Sequence, residues 1–202
     1  MKKTPGNFWR SMQRFKLRES SWLLLKASIV ANFGISLLAP VYAIFVQHIG
    51  GSILDAGIAY AIFCIITGIL VMFLGTSKFF QKKVKLMIVI GYILLTVSYA
   101  GYIFIRTPMQ LFLVQIIMGF SHGILEPAWD AVYAERLSEK EECKTWSMWT
   151  GTTNLAIGVA AILGSLIVSK YSFNSLFIIM TIFCALSTLI SLRILRKVKR
   201  KN

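Results

Sequence analysis

Residues 55–85 read DAGIAYAIFCIITGILVMFLGTSKFFQKKVK. From Asp55 to Leu74 the chain is almost wholly apolar, and then Lys78, Lys82, Lys83 and Lys85 follow in one short stretch. About 20 such residues cross ~30 Å of hydrocarbon as an α-helix. A membrane strand needs only ~9–11 residues that alternate between lipid and lumen, and this run does not alternate. The stretch predicts a helix that crosses a bilayer and ends in a basic loop.

Five further runs have the same character: Leu23–Phe45, Val84–Ile105, Met109–Tyr133, Trp146–Val168 and Phe173–Leu195. The expectation is an all-α integral membrane protein with six transmembrane helices over residues 23–195. A basic segment (1–22) precedes them and a basic tail (196–202) follows. With 202 residues, 56% of them hydrophobic, and a mean hydropathy of +0.70, a soluble domain could not enclose so much apolar surface. The net charge of +14 does not indicate nucleic acid, because the basic residues are confined to short stretches between apolar runs.

Those stretches set the orientation. Every Lys and Arg except Arg106 and Lys170 falls in the N-terminal segment, at the ends of runs, or in the second-to-third and fourth-to-fifth connections and the tail. Basic residues concentrate on the cytoplasmic side, so both termini are expected there, in a protein of the cell membrane. The first run is too long for a cleaved signal and no small-residue cleavage site follows it, so it reads as a retained anchor. Three cysteines without a CxxC predict neither a disulfide nor a metal site, and no cofactor is expected.

Smaller features fill in the connections. Phe8, Met12 and Phe15 fall at helical spacing among Arg10, Arg14 and Arg18, which suits a surface helix on the anionic leaflet. A flexible basic flank explains them equally well. After the turn Gly50-Gly51-Ser52, the Ser52/Asp55 pair reads as a helix-start box, making Asp55 a cap rather than a site. Arg106-Thr107-Pro108 is a second outer turn, and Glu135–Lys144 reads as a solvated connector.

Candidate chemistry gathers on the fourth run. Gln115, Gly119, His122, Glu126 and Asp130 recur at intervals of four, three, four and four, on one stripe of a helix. An unpaired acid near the bilayer centre costs roughly 2.5–3.5 kcal/mol, so the stripe should face protein or a watery cavity. Pro127 removes a backbone donor beside Glu126 and favours a kink there. In one reading His122, Glu126 and, nearer the interface, Asp130 line a solute or proton path. In the other, the acids pair with loop lysines such as Lys78 or Lys82 and lock the cytoplasmic face. Asn32, Ser36 and Tyr42 on the first run are further cavity candidates, with helix packing as the alternative. Gly119, Asn154, Gly158 and Gly164 read as packing positions. Pro40-Val41-Tyr42 and Pro127-Ala128-Trp129 lie at matching depths of the first and fourth runs, a hint of a three-plus-three repeat.

Gly119-Phe120-Ser121-His122-Gly123 matches the G-x-S-x-G nucleophile pattern. That elbow needs a sharp strand-to-helix turn, whereas this match lies inside an apolar helix. The only other histidine, His48, is on the outer side, so no base is at hand. No enzymatic activity is expected.

Taken together, these pieces resemble one half of a major facilitator superfamily transporter. The likeness rests on Pro40-Val41-Tyr42, on Gly50-Gly51-Ser52 with Gly57, and on Gly75 leading into the lysine-rich loop. Gln115 with Gly119, and Asn154, Gly158 and Gly164, complete it. The loop Gly75-Thr76-Ser77-Lys78-Phe79-Phe80-Gln81-Lys82-Lys83 lacks the acid and inner glycine of the family's G-x-x-x-D-R-x-G-R-K, and Gln115 replaces an arginine. Family members normally hold two six-helix halves about an axis along the membrane normal. The resemblance implies a half-size secondary transporter that pairs with a parallel second copy and moves a small solute, with or without protons, by alternating access. A solute-binding subunit of an ATP-driven importer and a non-transporting assembly factor are the alternatives. The absence of a buried basic cluster leans towards a cationic or neutral amphiphilic solute.

Overall fold

The structure, a computed structural model, describes residues 19–134 and 142–199. Its elements are α1 (Glu19–Ser36), a 3-10 turn (Ala39–Val41), α2 (Tyr42–His48), α3 (Ile53–Thr76), α4 (Lys78–Lys82), α5 (Val84–Tyr102), α6 (Pro108–Ala134), α7 (Glu142–Lys170) and α8 (Phe173–Lys199). Six helical spans are long and apolar enough to cross a membrane: Leu23–His48, Ile53–Thr76, Val84–Tyr102, Pro108–Ala134, Trp146–Lys170 and Phe173–Arg193. They are referred to below as the first to sixth crossings. The surface-helix question for residues 1–18 and most of the connector at Glu135–Lys144 lie outside the described residues.

Local chemistry explains the joints. Ser52 accepts from the Asp55 backbone at 3.2 Å while Asp55 accepts from the Ser52 backbone at 2.7 Å, so the helix-start box forms as expected. Before it, Gly50 takes φ +81° and closes α2 with bonds to Gln47 and, through Gly51, to Val46. In the basic loop Ser77 caps α4, whose Phe80 is buried while Phe79 stays exposed under the Lys83 ammonium at 4.5 Å.

The two prolines behave differently. Pro40 breaks the first crossing: α1 ends at Ser36, and Leu37, Leu38 and Val41 bond three residues back instead of four. Around Pro127, by contrast, α6 runs on without interruption from Pro108 to Ala134. Here tight packing on both sides holds the helix together. A Cβ on Gly123 would lie 2.5 Å from Leu70 Cβ, and one on Gly91 2.8 Å from Leu125 Cβ.

Packing follows a symmetric order. The second crossing packs on the fourth, the fourth on the third, the third on the sixth, the sixth on the first, and the first on the fifth. Exchanging one for four, two for five and three for six leaves that order unchanged, which is the three-plus-three repeat. Small residues and short hydroxyls make the contacts, as membrane helices require. Gly119 admits Ile66, Gly34 admits Phe183, and the Ser187 hydroxyl donates to Ala27 O at 2.9 Å. The break at Pro40 frees the Leu37 carbonyl, and Gly164 on the fifth crossing lies directly against it.

The second and fifth crossings flank the bundle and leave much of their surface bare. Met72 is 76% exposed, Leu155 75% and Ile162 66%. Gly158 has nothing within 4 Å, and Asn154 is exposed with its amide bonded back to Thr150 O at 2.9 Å. Of the expected packing positions, Gly119 and Gly164 are close approaches within the chain. Asn154 and Gly158 instead face outward, because they occupy the side of the fifth crossing turned away from the first.

Candidate functional site

Between the first, third, fourth and fifth crossings lies a cavity of about 370 Å³. That is within the size of small-ligand sites. The first crossing contributes Ser28 and Asn32, and the fourth contributes His122, Glu126, Trp129 and Asp130. Tyr92 comes from the third, and Trp146 and Trp149 from the fifth. The first and fifth crossings contribute positions in their N-terminal halves, the third its middle, and the fourth its C-terminal portion. The cavity therefore occupies the half of the bundle nearest the basic loop.

His122 Nδ1 lies 3.1 Å from Glu126 Oε1, one helical turn away, and His122 also meets the Phe63 ring edge-on at 5.1 Å. The side chain of His122 is 19% exposed and that of Glu126 50%. One turn further on, Asp130 is exposed at the cavity wall. Among the described residues neither acid pairs with Lys78 or Lys82, so the locking alternative finds no contact here. The cavity wall is also hydrogen-bonded across crossings. Trp129 Nε1 donates to Ser28 Oγ, and Ser28 Oγ lies 2.9 Å from the Tyr92 hydroxyl. This relay fixes the indole plane with no polar atom left over.

Three of the predicted candidates sit elsewhere. Gln115 is 3% exposed and its amide donates to the Tyr42 and Tyr102 hydroxyls at 3.0 and 3.1 Å. Ser36 donates back to Asn32 O at 2.6 Å. Gln115, Tyr42 and Ser36 therefore do not line the cavity. The stripe on the fourth crossing splits, its C-terminal half facing the cavity and its N-terminal half buried in protein. Beside Gln115 an aromatic cluster packs that N-terminal half, with Phe45 5.7 Å from Tyr102, 5.3 Å from Phe173 and 4.8 Å from Phe177. Ser121, the centre of the nucleophile-like match, is fully buried and donates to Gly91 O at 2.8 Å.

Ser28, Tyr92, Trp129, Trp146 and Trp149 were not among the sequence candidates. In an apolar run a tryptophan reads as core or interface. A weak signal was available, since Trp129 lies seven residues from His122 and three from Glu126, on the same side of the helix.

The helical bundle thus carries a solute-sized cavity in one half and an aromatic cluster in the other. The family model for the Major Facilitator Superfamily matches residues 24–202, and the chain belongs to that family. Among curated relatives it is 26% identical over 150 residues to the proton-coupled antiporter flippase LtaA of Staphylococcus haemolyticus, covering 72% of this chain and 37% of that one. It is 25% identical over 158 residues to the uncharacterized MFS-type transporter YqjV of Bacillus subtilis, covering 76% and 38%. To an uncharacterized MFS-type transporter of Methanocaldococcus jannaschii the identity is 20%, over 77% of this chain and 40% of the relative. The chain thus spans less than half the length of the curated relatives it matches.

Proposed function

We propose that the chain is one six-crossing half of a secondary transporter that moves a small solute by alternating access. The observation that carries this reading is the cavity, where Asn32, His122, Glu126 and Asp130 from two crossings converge although each is costly in lipid. Basic loops and termini lie in the cytoplasm of a cell-membrane protein, so the cavity faces inward and the aromatic seal around Gln115 closes the outside. His122 and Glu126, in contact one helical turn apart, lie on that path. Segments 1–22 and 196–202 are basic cytoplasmic flanks.

The test is flux in proteoliposomes with an imposed pH gradient, surveyed over candidate solutes. The reading expects one solute class to move above the rate of empty liposomes. No solute-dependent flux, or flux only when ATP and a second protein are added, would sink it.

A second six-crossing unit in parallel orientation covers the cavity's open side, and a second copy of this chain supplies it. The bare faces of the second and fifth crossings, with Gly57, Gly68, Gly151 and Gly158 meeting nothing within 4 Å, support such a contact. Gly158→Leu is expected to leave thermal stability of the monomer unchanged while converting dimers to monomers in native mass spectrometry. Dimers that persist in the variant would place the contact elsewhere.

A further inference from the structure

We propose that the cavity is built for an amphiphilic organic cation, one with a delocalised or alkylated positive centre and an aromatic or apolar body. This rests on the transport reading of the same site but stands on separate observations. The first is charge. Glu126 and Asp130 face the cavity one helical turn apart, and no Lys or Arg lines it among the described residues. Lys26, the nearest lysine in sequence on the first crossing, is exposed two residues before Ser28 and lies outside the lining. Two carboxylates at this spacing repel each other, and a cation between them relieves that repulsion. His122 is committed to Glu126, which leaves Asp130 without an ion-pair partner among the described residues.

The second observation is the aromatic wall. Trp129 lies 4.8 Å from Trp149 and 4.6 Å from Tyr133, and Trp146 meets Tyr133 edge-on at 4.8 Å. Trp129 is 9% exposed and held by Ser28, so it forms the rigid back of the wall. Trp146 and Trp149 are only half-buried and present ring surface to the cavity. Indole faces attract cations, most strongly where water is excluded, and weakly hydrated alkylated cations gain most from leaving water. An anion would meet two carboxylates.

Equilibrium binding to protein in phosphatidylcholine nanodiscs tests this, with empty nanodiscs subtracted. The probes are tetraphenylphosphonium and its near-isosteric anion tetraphenylborate. The wild type is expected to bind the phosphonium saturably and the borate not at all. The charge-neutral, shape-preserving double variant Glu126→Gln/Asp130→Asn is expected to weaken phosphonium binding about tenfold or more. Trp149→Leu is expected to weaken it by a smaller factor. No saturable phosphonium binding by the wild type, equal binding of the borate, or an unchanged affinity in the double variant would each overturn the proposal. Acid-dependent phosphonium binding without flux in proteoliposomes would leave the cation site standing and sink transport. Flux of some other solute with no phosphonium binding would do the reverse.

Discussion

Gly164→Ala is expected to lower the thermal unfolding midpoint of the purified protein more than any other single-methyl change in the bundle. Its new Cβ would clash with the Leu37 carbonyl, which is backbone and cannot rotate away. Pro40 creates the situation, because the break it imposes turns Leu37 O out of the first crossing's own hydrogen-bond ladder. Without a Cβ, Gly164 leaves room for that carbonyl at close range. Alanine must push the fifth crossing off the first, at a cost of about 1–3 kcal/mol for overpacking. The same shift moves Trp146 and Trp149 on the cavity wall, so solute binding should fall with stability. Gly158→Ala on the same helix, where nothing lies within 4 Å, should unfold like the wild type. Equal midpoints for Gly164→Ala and the wild type would show that the two crossings do not meet there.

Glu126→Gln is expected to reduce solute flux about tenfold, a loss of about 1.4 kcal/mol in the transport step, with no loss of folded protein. Glutamine keeps the size of the side chain and can still bond His122 at the position where Nδ1 now lies 3.1 Å from Oε1. What it removes is the charge and the proton-accepting oxygen. Half of the Glu126 side chain is open to the cavity, so its carboxylate is not needed to satisfy the interior. A merely structural acid would show the opposite pattern, with flux per folded molecule kept and yield reduced. Flux per molecule in proteoliposomes, read beside size-exclusion yield, separates the two.

The six crossings were legible because membrane insertion is decided by composition over ~20 residues, a property local to each run. The Ser52/Asp55 cap was legible for the same reason, since both partners lie within one turn. The site was only half legible. Spacing placed Gln115 on the same stripe as Glu126, but whether a stripe position meets a cavity or a neighbour depends on what lies opposite. For Gln115 that is Tyr42 and Tyr102, which spacing on one helix cannot show. Trp146 and Trp149 reach the cavity only because the fifth crossing docks on the first through Gly164. Likewise Pro40 and Pro127 look equivalent in sequence, and their neighbours decide that one breaks its helix and the other does not.

The proposal that the cavity is a path reached alternately from both sides has a direct test that needs no knowledge of the solute. Asn32→Cys is placed in a chain with Cys64 and Cys143 changed to Ser and Cys184 to Ala, and a membrane-impermeant maleimide is applied to right-side-out and to inverted vesicles. Asn32 lines the cavity in the half nearest the basic loop. Labelling is expected from both faces and, with the basic loop in the cytoplasm as proposed, faster in inverted vesicles. Labelling from one face alone, or from neither, would contradict alternating access through this cavity.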